Sequence, residues 1–116
     1  MEPIQRYQLT IGVIGRSPRI IMEQAFKLIK EMENEELVVK SSLYSGELYY
    51  SDSSRYRMLH DQNKFAGSRL DQIIICDDKR WNVYDEKQEL IECAKYILSK
   101  YSCVPEEFQI INLELP

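Results

Sequence analysis

One stretch of sequence decides the fold: Leu70-Asp71-Gln72-Ile73-Ile74-Ile75-Cys76-Asp77-Asp78. Its apolar centre, residues 73–76, lies between polar residues and ends in two adjacent carboxylates. A short, continuous apolar run is typical of a strand that is buried on both faces, as in the parallel sheets of α/β proteins. The stretch therefore predicts a central strand that delivers two acids to one edge of a sheet.

The first part of the sequence supplies partners for such a strand. Residues 8–14 predict a buried strand that ends at Gly15, and Ser17-Pro18 predicts a helix N-cap followed by proline at the first helical position. This first helix is predicted to run to about Met32 and to pack on the sheet through one apolar stripe. The stripe consists of Ile21, Ala25, Leu28, Ile29 and Met32.

Further elements follow along the chain. Strands are predicted at residues 37–43, 47–50 and 56–59, and a mostly buried final strand at residues 108–115. Asp85-x-x-Gln88 resembles a capping box that opens a second helix through about Tyr101, with Trp81 packing this helix onto the sheet. The apolar face of the second helix is predicted to contain Leu90, Cys93, Ala94, Ile97, Leu98 and Tyr101.

The expected fold class follows from the order of these elements. It is α/β: a layered domain with a central mixed sheet, two main helices and the order β-α-β-β-β-β-α-β. The sequence shows no repeat and no linker rich in proline or glycine. Residues 1–116 are therefore expected to form a single domain.

The composition limits the kind of protein. The chain has 116 residues, 29% of them charged, and its formal net charge of -4 argues against disorder and against indiscriminate coating of nucleic acid. Cys76, Cys93 and Cys103 show no C-x-x-C spacing, so neither a disulfide framework nor a zinc site is expected. The sequence shows no signal peptide and no apolar run of the ~18 residues that a membrane span needs. We therefore expect a cytoplasmic protein with no membrane contact.

Two groups of residues are candidates for anion binding. Arg16 and Ser17 follow a predicted strand and open a helix, where unpaired N–H groups and the helix dipole favour negative charge. The second group lies between residues 55 and 69, where arginines can pair with phosphates and the interleaved aromatic residues can stack on bases. Its cations are Arg55, Arg57, Lys64 and Arg69. The alternative interpretations are a glycine turn needed for backbone geometry and an ordinary charged hairpin.

Two adjacent carboxylates are candidates for metal binding. Mg²⁺ prefers carboxylate oxygens, so Asp77 and Asp78 could hold it together with substrate phosphates, with Asp71 at the other end of the same strand. Adjacent side chains on a strand point to opposite faces, so Asp77 and Asp78 converge only if the strand has already ended. The alternative interpretation is a solvated acidic turn that Lys79 and Arg80 balance.

Two segments follow the order of a hairpin, a basic loop with glycine, and a strand that ends in acids. They are Leu48-Tyr49-Tyr50-Ser51-Asp52-Ser53-Ser54-Arg55-Tyr56 and Lys64-Phe65-Ala66-Gly67-Ser68-Arg69-Leu70-Asp71-Gln72-Ile73-Ile74-Ile75-Cys76-Asp77-Asp78. In this order they resemble part of the ATPase core of phage terminase large subunits, and residues 15–32 are similar to the strand and helix that precede the hairpin in that family. The resemblance implies that Asp77 corresponds to the magnesium-associated acid and Asp78 to the catalytic glutamate.

The sequence departs from that family at two points. It contains no G-x-x-x-x-G-K-[ST] loop to hold phosphates, and Asp78 is one methylene shorter than the glutamate it would replace. Without the loop and its lysine, the positioning and charge neutralisation of a transferring phosphoryl group are lost. Competent ATP hydrolysis is therefore not expected.

These observations lead to one main hypothesis and two alternatives. The main hypothesis is a small, non-catalytic, phage-encoded binding protein that keeps the shape of a nucleotide-binding core and recognises an anionic partner: a nucleotide, nucleic acid or an acidic protein surface. The first alternative is a magnesium-dependent phosphoryl-transfer enzyme or nuclease that uses Asp71, Asp77 and Asp78. The second is a self-associating structural protein, a homo-oligomer built on tyrosine-rich edges.

Overall fold

The computed structural model describes residues 9–32, 38–42, 47–50, 55–60, 69–81 and 86–115, with the backbone alone at 32, 38–42 and 47–50. The strands are β1 (Thr10–Ile14), β2 (Val38–Ser42), β3 (Glu47–Tyr50), β4 (Arg55–Leu59), β5 (Gln72–Asp77) and β6 (Ile110–Glu114). The first helix consists of α1 (Pro18–Ile20), a π-helical segment (Ile21–Ala25) and α2 (Phe26–Met32), and the second is α3 (Glu86–Tyr101). This order confirms the predicted α/β pattern of strands and helices.

The strands form one mixed sheet in the order β2-β3-β4-β1-β5-β6. Strands β4, β1, β5 and β6 run parallel to one another, while β3 pairs antiparallel with β4 and β2 antiparallel with β3. The acid-ended strand β5 is an interior strand, buried on both faces, but it lies between β1 and the edge strand β6 and not at the centre of the sheet as predicted. That residues 1–116 form a single domain stays a prediction.

Apolar side chains on the two faces of the sheet pack against different helices. On one face, strand residues such as Val13 and Cys76 contact Ile21 and Ile29 of the first helix. The other face contains Ile14, Leu59, Leu70, Ile73, Ile75, Trp81, Leu90, Ala94 and Leu98, and so packs against α3. Complete burial of an aliphatic side chain contributes about 1.5–3 kcal/mol, so the run of four apolar residues in β5 stabilises both layers. The predicted packing of Trp81 beneath the second helix is confirmed, while Asp85 of the predicted capping box lies outside the described residues.

The two helices define a switch point in the topology at one edge of the sheet. The helix that follows β1 lies on one face, and the helix that follows β5 lies on the other. Strands β1 and β5 are parallel neighbours. Because the helices that follow them lie on opposite faces, the chain leaves the carboxyl ends of these two strands in opposite directions. Ligands of open α/β sheets bind outside the carboxyl ends of the strands at such a switch point. We call this edge of the parallel strands the carboxyl edge, and the opposite one the amino edge.

The first helix packs differently from the predicted stripe. Phe26 is buried although the stripe omitted it, while Leu28 is only half-buried. The reason is the π-helical segment, in which the N–H of Phe26 donates to the carbonyl of Ile21, five residues back. A π segment accommodates more residues per turn than an α-helix, so the apolar face that follows it is rotated. Met32 belongs to the helix, but its side chain lies outside the described part.

The prediction of a mostly buried final strand is wrong. Strand β6 begins at Ile110, after a short 3-10 turn (Glu106–Phe108), and Phe108 and Ile111 are 58% and 37% exposed. The physical reason is that β6 lies at the edge of the sheet and, among the described strands, has a neighbour on one side only. Tyr101, assigned to the apolar face of the second helix, is also exposed, because it lies on the last turn of α3.

Replacing Gly15 by alanine is expected to destabilise the protein by about 1–3 kcal/mol, the usual cost of overpacking a core. A Cβ at this position would collide with Cγ1 of Ile21, a fully buried side chain. Urea denaturation of Gly15→Ala measures the loss. In an Ile21→Ala background the same substitution should cost less, because the clashing atoms are gone. An equal cost in both backgrounds would show that this contact is not the cause.

Candidate functional site

The connection between β1 and the first helix is short and self-contained. Only Gly15, Arg16 and Ser17 separate Ile14 from Pro18. Ser17 is the N-cap, as predicted, and its Oγ accepts a hydrogen bond of 3.3 Å from the N–H of Ile20. Since Pro18 has no N–H and that of Ile20 is engaged, this helix start offers few donors to an anion.

Arg16 and Asp78 join the ends of β1 and β5. The Nε of Arg16 lies 3.3 Å from both carboxylate oxygens of Asp78, although the two residues are far apart in sequence. The side chains are 26% and 14% exposed, so the pair is largely removed from water. An ion pair in such a position is electrostatically stronger than one on an open surface.

Asp78 also organises the turn that follows β5. Its Oδ1 accepts hydrogen bonds from the backbone N–H groups of Arg80 at 2.9 Å and Trp81 at 3.2 Å. Aspartate often stabilises turns by bonding backbone groups two or three residues further on. The predicted acidic turn is thus present, but the partner of Asp78 is Arg16, while Lys79 and Arg80 are exposed.

Asp77 pairs with a cation from the second helix. The Nζ of Lys87 lies 2.8 Å from Oδ1 of Asp77, and it also lies 5.6 Å from the centre of the Trp81 ring. Both charged side chains are partly buried. Sequence reasoning missed Lys87, because nothing in the spacing of a lysine near a helix start shows that it faces the end of β5. Each of the two acids at the end of β5 therefore has a cation of this chain beside it.

Asp71 lies at the amino edge and is completely buried. Its Oδ2 accepts a hydrogen bond of 2.9 Å from the N–H of Thr10, and its Oδ1 lies 3.3 Å from Nη2 of Arg69 and 3.8 Å from Sγ of Cys103. Six residues of extended chain, about 20 Å, separate it from Asp77. The three carboxylates that the enzyme hypothesis combines therefore do not meet at one site.

The predicted anion-binding residues fall into two places. Arg55 lies opposite Thr10 and Arg57 opposite Gly12 in the register of β4 with β1, and both are half-buried. Arg69 precedes β5 at the same amino edge as Arg55, and its side chain is 60% exposed. Arg16 and Ser17 lie at the carboxyl edge instead. Lys64 lies outside the described residues.

No group of three or more His, Cys, Asp or Glu side chains that could hold a metal occurs among the described residues. Asp77 and Asp78 are adjacent, but Mg²⁺ at either carboxylate would have to displace or approach a cation already within 3.3 Å. Two like charges at such a distance repel strongly. The paired arrangement therefore does not fit magnesium, and binding of the metal by these two residues stays a prediction.

Cys76 is expected to be unreactive in the folded protein. It is fully buried in β5, and burial, assisted by the negative charge of Asp78, raises its pKa from 9.0 to about 12. Because the reactive form of cysteine is the thiolate, a thiol reagent at about pH 8 should label exposed Cys103 and leave Cys76 unlabelled until the protein unfolds. Mass spectrometry of labelled peptides tests this, and rapid labelling of Cys76 in native protein would contradict it.

The same raised pKa predicts a dependence of stability on pH. The folded protein keeps the Cys76 proton between pH 9.0 and about 12, whereas the unfolded chain releases it. Unfolding therefore loses a proton in this range, and the free energy of unfolding falls as the pH rises. Denaturation series at increasing pH should show a smaller fall for Cys76→Ala than for the parent chain.

The comparisons with known proteins concern the fold. No protein-family model and no curated protein matches the chain. Among solved structures, the chain is similar to the large terminase from a thermophilic bacteriophage, with 12% sequence identity and a TM-score of 0.61. The likeness covers 93% of this chain but only 33% of the terminase, so the chain spans about a third of that protein. The predicted resemblance is thus confirmed at the level of the fold: the chain has the architecture of part of a phage large terminase.

Proposed function

We propose that this chain is a non-catalytic binding protein that recognises a nucleic-acid strand through arginines at the amino edge of its sheet. The observation that carries the proposal is the pairing of both acids at the end of β5 with cations of the same chain, Asp77 with Lys87 and Asp78 with Arg16. Magnesium-dependent phosphoryl transfer requires acids that are available to the metal and to water. Here the same positions stabilise the ends of two strands and the first turn of a helix.

The turn after β1 supports the same interpretation. A phosphate-binding loop needs several glycine-rich backbone N–H groups and a lysine. This chain has three residues at that point, and one of them, Ser17, is used as a helix cap. Arg16, the residue with the most suitable charge, faces Asp78. These three residues therefore offer a bound nucleotide neither a phosphate-binding loop nor an unpaired cation.

The distribution of the arginines at and near the amino edge favours an extended polyanion as the partner. Arg55 and Arg57 lie two residues apart on one strand, about 7 Å, and Arg69 lies two strand spacings away, about 10 Å. Cations spread over such distances suit successive phosphates of a nucleic-acid strand better than the adjoining phosphates of one nucleotide. A guanidinium has five N–H donors, so an arginine with a partner in its own chain can still donate to a phosphate.

The test is the affinity for a fluorescent single-stranded oligonucleotide, measured by anisotropy at several salt concentrations. We expect binding that weakens as salt rises, because phosphate contacts release counterions. Competition with unlabelled ATP and with an acidic peptide distinguishes the other anionic partners. Absence of binding at low salt, or displacement by ATP at a similar phosphate concentration, would contradict the assignment of a nucleic-acid strand.

The alternative of a magnesium-dependent enzyme is tested by thermal denaturation with increasing Mg²⁺. A ligand that binds the native state raises the melting temperature. We expect no specific rise for the parent chain, because Arg16 and Lys87 already neutralise the acids. A rise that disappears in Asp77→Asn/Asp78→Asn, together with cleavage of an oligonucleotide, would favour the enzyme.

A phage origin and a cytoplasmic location stay predictions. None of the helices in the described part of the chain has the length and hydropathy of a transmembrane span.

A further inference from the structure

The outer edge of β6 is a regular strand edge without a partner in the described part of the chain. Strand β6 is the last strand of the sheet, and its register with β5 continues over five residue pairs without a shift. A straight edge of this kind presents a row of backbone donors and acceptors that another strand can pair with.

The hydrogen bonds to β5 show which backbone groups face outward. The N–H of Ile73 donates to the carbonyl of Gln109, and the N–H of Leu115 donates to the carbonyl of Asp77. Backbone groups alternate between the two sides of a strand, so the odd-numbered residues of β6 face β5. The N–H and C=O groups of Ile110, Asn112 and Glu114 therefore point away from the sheet.

The opposite edge of the sheet is built differently. Strand β2 contains a register irregularity between Val38 and Lys40, and Lys40 itself lies on this edge strand. Bulges and lysines are the usual means by which natural proteins prevent an edge from pairing with another chain. Strand β6 has neither feature, since its register is continuous and it contains no lysine, arginine or proline.

Side chains around β6 combine exposed apolar surface with negative charge. Phe108 and Ile111 are two of the large apolar side chains that the described residues expose. Glu106, Glu107 and Glu114 are also exposed, while residues 104–115 contain no lysine or arginine. A partner segment would make apolar contacts with Phe108 and Ile111 and favourable charge interactions with the three glutamates.

We propose that the outer edge of β6 binds an extended segment of a partner protein, which pairs with it as a further strand and carries apolar residues alternating with lysine or arginine. Charge complementarity decides this occupant, because a second copy of the chain would bring the same acids to the same edge. Binding by strand addition takes its affinity from main-chain hydrogen bonds and its specificity from alternate side chains. The argument uses the backbone edge, apolar side chains and acids of this segment and none of the arginines, so this inference does not depend on the proposed function.

The probe is a short synthetic peptide in which lysine alternates with valine, titrated by isothermal calorimetry. One control peptide has glutamate in place of lysine, and another has the same side chains with N-methylated amides that cannot donate hydrogen bonds. In the protein, Asn112→Pro removes one outward N–H and leaves the bonds to β5 in place, while Asn112→Ala keeps that N–H. Glu107→Gln/Glu114→Gln tests the charge against the matched control Glu86→Gln/Glu92→Gln on α3.

We expect the lysine peptide to bind, Asn112→Pro to weaken it roughly tenfold or more, and Asn112→Ala to leave it nearly unchanged. The glutamate peptide and the N-methylated peptide should bind the parent chain more weakly than the lysine peptide does. The variant Glu107→Gln/Glu114→Gln should bind the lysine peptide more weakly than the parent chain does. If Asn112→Pro does not fold, the N-methylated peptide decides. The proposal is overturned if the lysine peptide does not bind at about 1 mM, the weak end of measurable affinity, or if N-methylation has no effect. Concentration-dependent dimers that Asn112→Pro abolishes would instead assign the edge to a second copy.

Discussion

Replacing Asp71 by alanine is expected to lower the free energy of unfolding by about 3 kcal/mol, the loss typical of removing one partner from a buried polar network. The carboxyl group is fully buried and accepts a hydrogen bond from the N–H of Thr10 at the start of β1. Its other oxygen lies beside Arg69 and Cys103. Alanine would leave a buried N–H without a partner and would open a small cavity, and both effects are unfavourable.

Two comparisons sharpen this prediction. Asp71→Asn keeps an oxygen that can accept from Thr10, so it should lose less stability than Asp71→Ala. Asp77→Ala removes a partly exposed acid, and water can replace the bond that this acid makes to Lys87. The loss of stability in Asp77→Ala should therefore be well below the loss in Asp71→Ala. Chemical denaturation of the three variants gives the order. An Asp71→Ala loss no larger than that of Asp77→Ala would contradict the structural role assigned to Asp71.

The result also bears on the enzyme hypothesis. That hypothesis combined Asp71 with Asp77 and Asp78, but the Asp71 side chain bonds to Thr10 at the start of β1 and lies beside Cys103 after α3. Its backbone carbonyl accepts a hydrogen bond of 2.6 Å from Ser102 Oγ in the same segment. A residue with this role should affect stability and leave binding of divalent cations unchanged. Thermal shifts with Mg²⁺ measured on Asp71→Asn test the second half of this statement.

The combined substitution of Arg55, Arg57 and Arg69 by glutamine is expected to weaken oligonucleotide binding about 100-fold at low salt, since each loses a phosphate contact. Arg69 is the most exposed of the three, and its guanidinium lies at the same edge as Arg55. The matched control replaces Lys79, Arg80 and Lys95 by glutamine. These three cations are exposed, and their loss changes the net charge by the same amount. An equal loss of affinity in both variants would mean that only net charge matters.

Much of the fold could be predicted because its signals are local. The apolar run of β5 is continuous because Ile73 and Ile75 face α3 while Ile74 and Cys76 face the first helix. Ser17 caps the first helix through a hydrogen bond that spans three residues. Such features depend on neighbours in sequence, so the pattern of residue types is enough to predict them.

The remaining features depend on contacts between distant parts of the chain. The pairing of Arg16 with Asp78 arises only when β1 and β5 lie side by side, and no spacing in the sequence indicates it. The exposure of Phe108 and Ile111 follows from the edge position of β6, which the alternation of apolar residues does not distinguish from a central one. The candidate site was therefore predicted by residue type, while its charge pairing was not.

The most direct test of the proposed function is the salt dependence of oligonucleotide affinity for the parent chain and for the variant lacking the three arginines. For single strands the slope of log K against log salt changes by about 0.7 for each phosphate contact. The slope for the parent chain should therefore be steeper by about 2 than the slope for the variant lacking the three arginines. The variant with Lys79, Arg80 and Lys95 replaced should keep the parent slope. Equal slopes for the parent chain and the variant lacking Arg55, Arg57 and Arg69 would contradict the account.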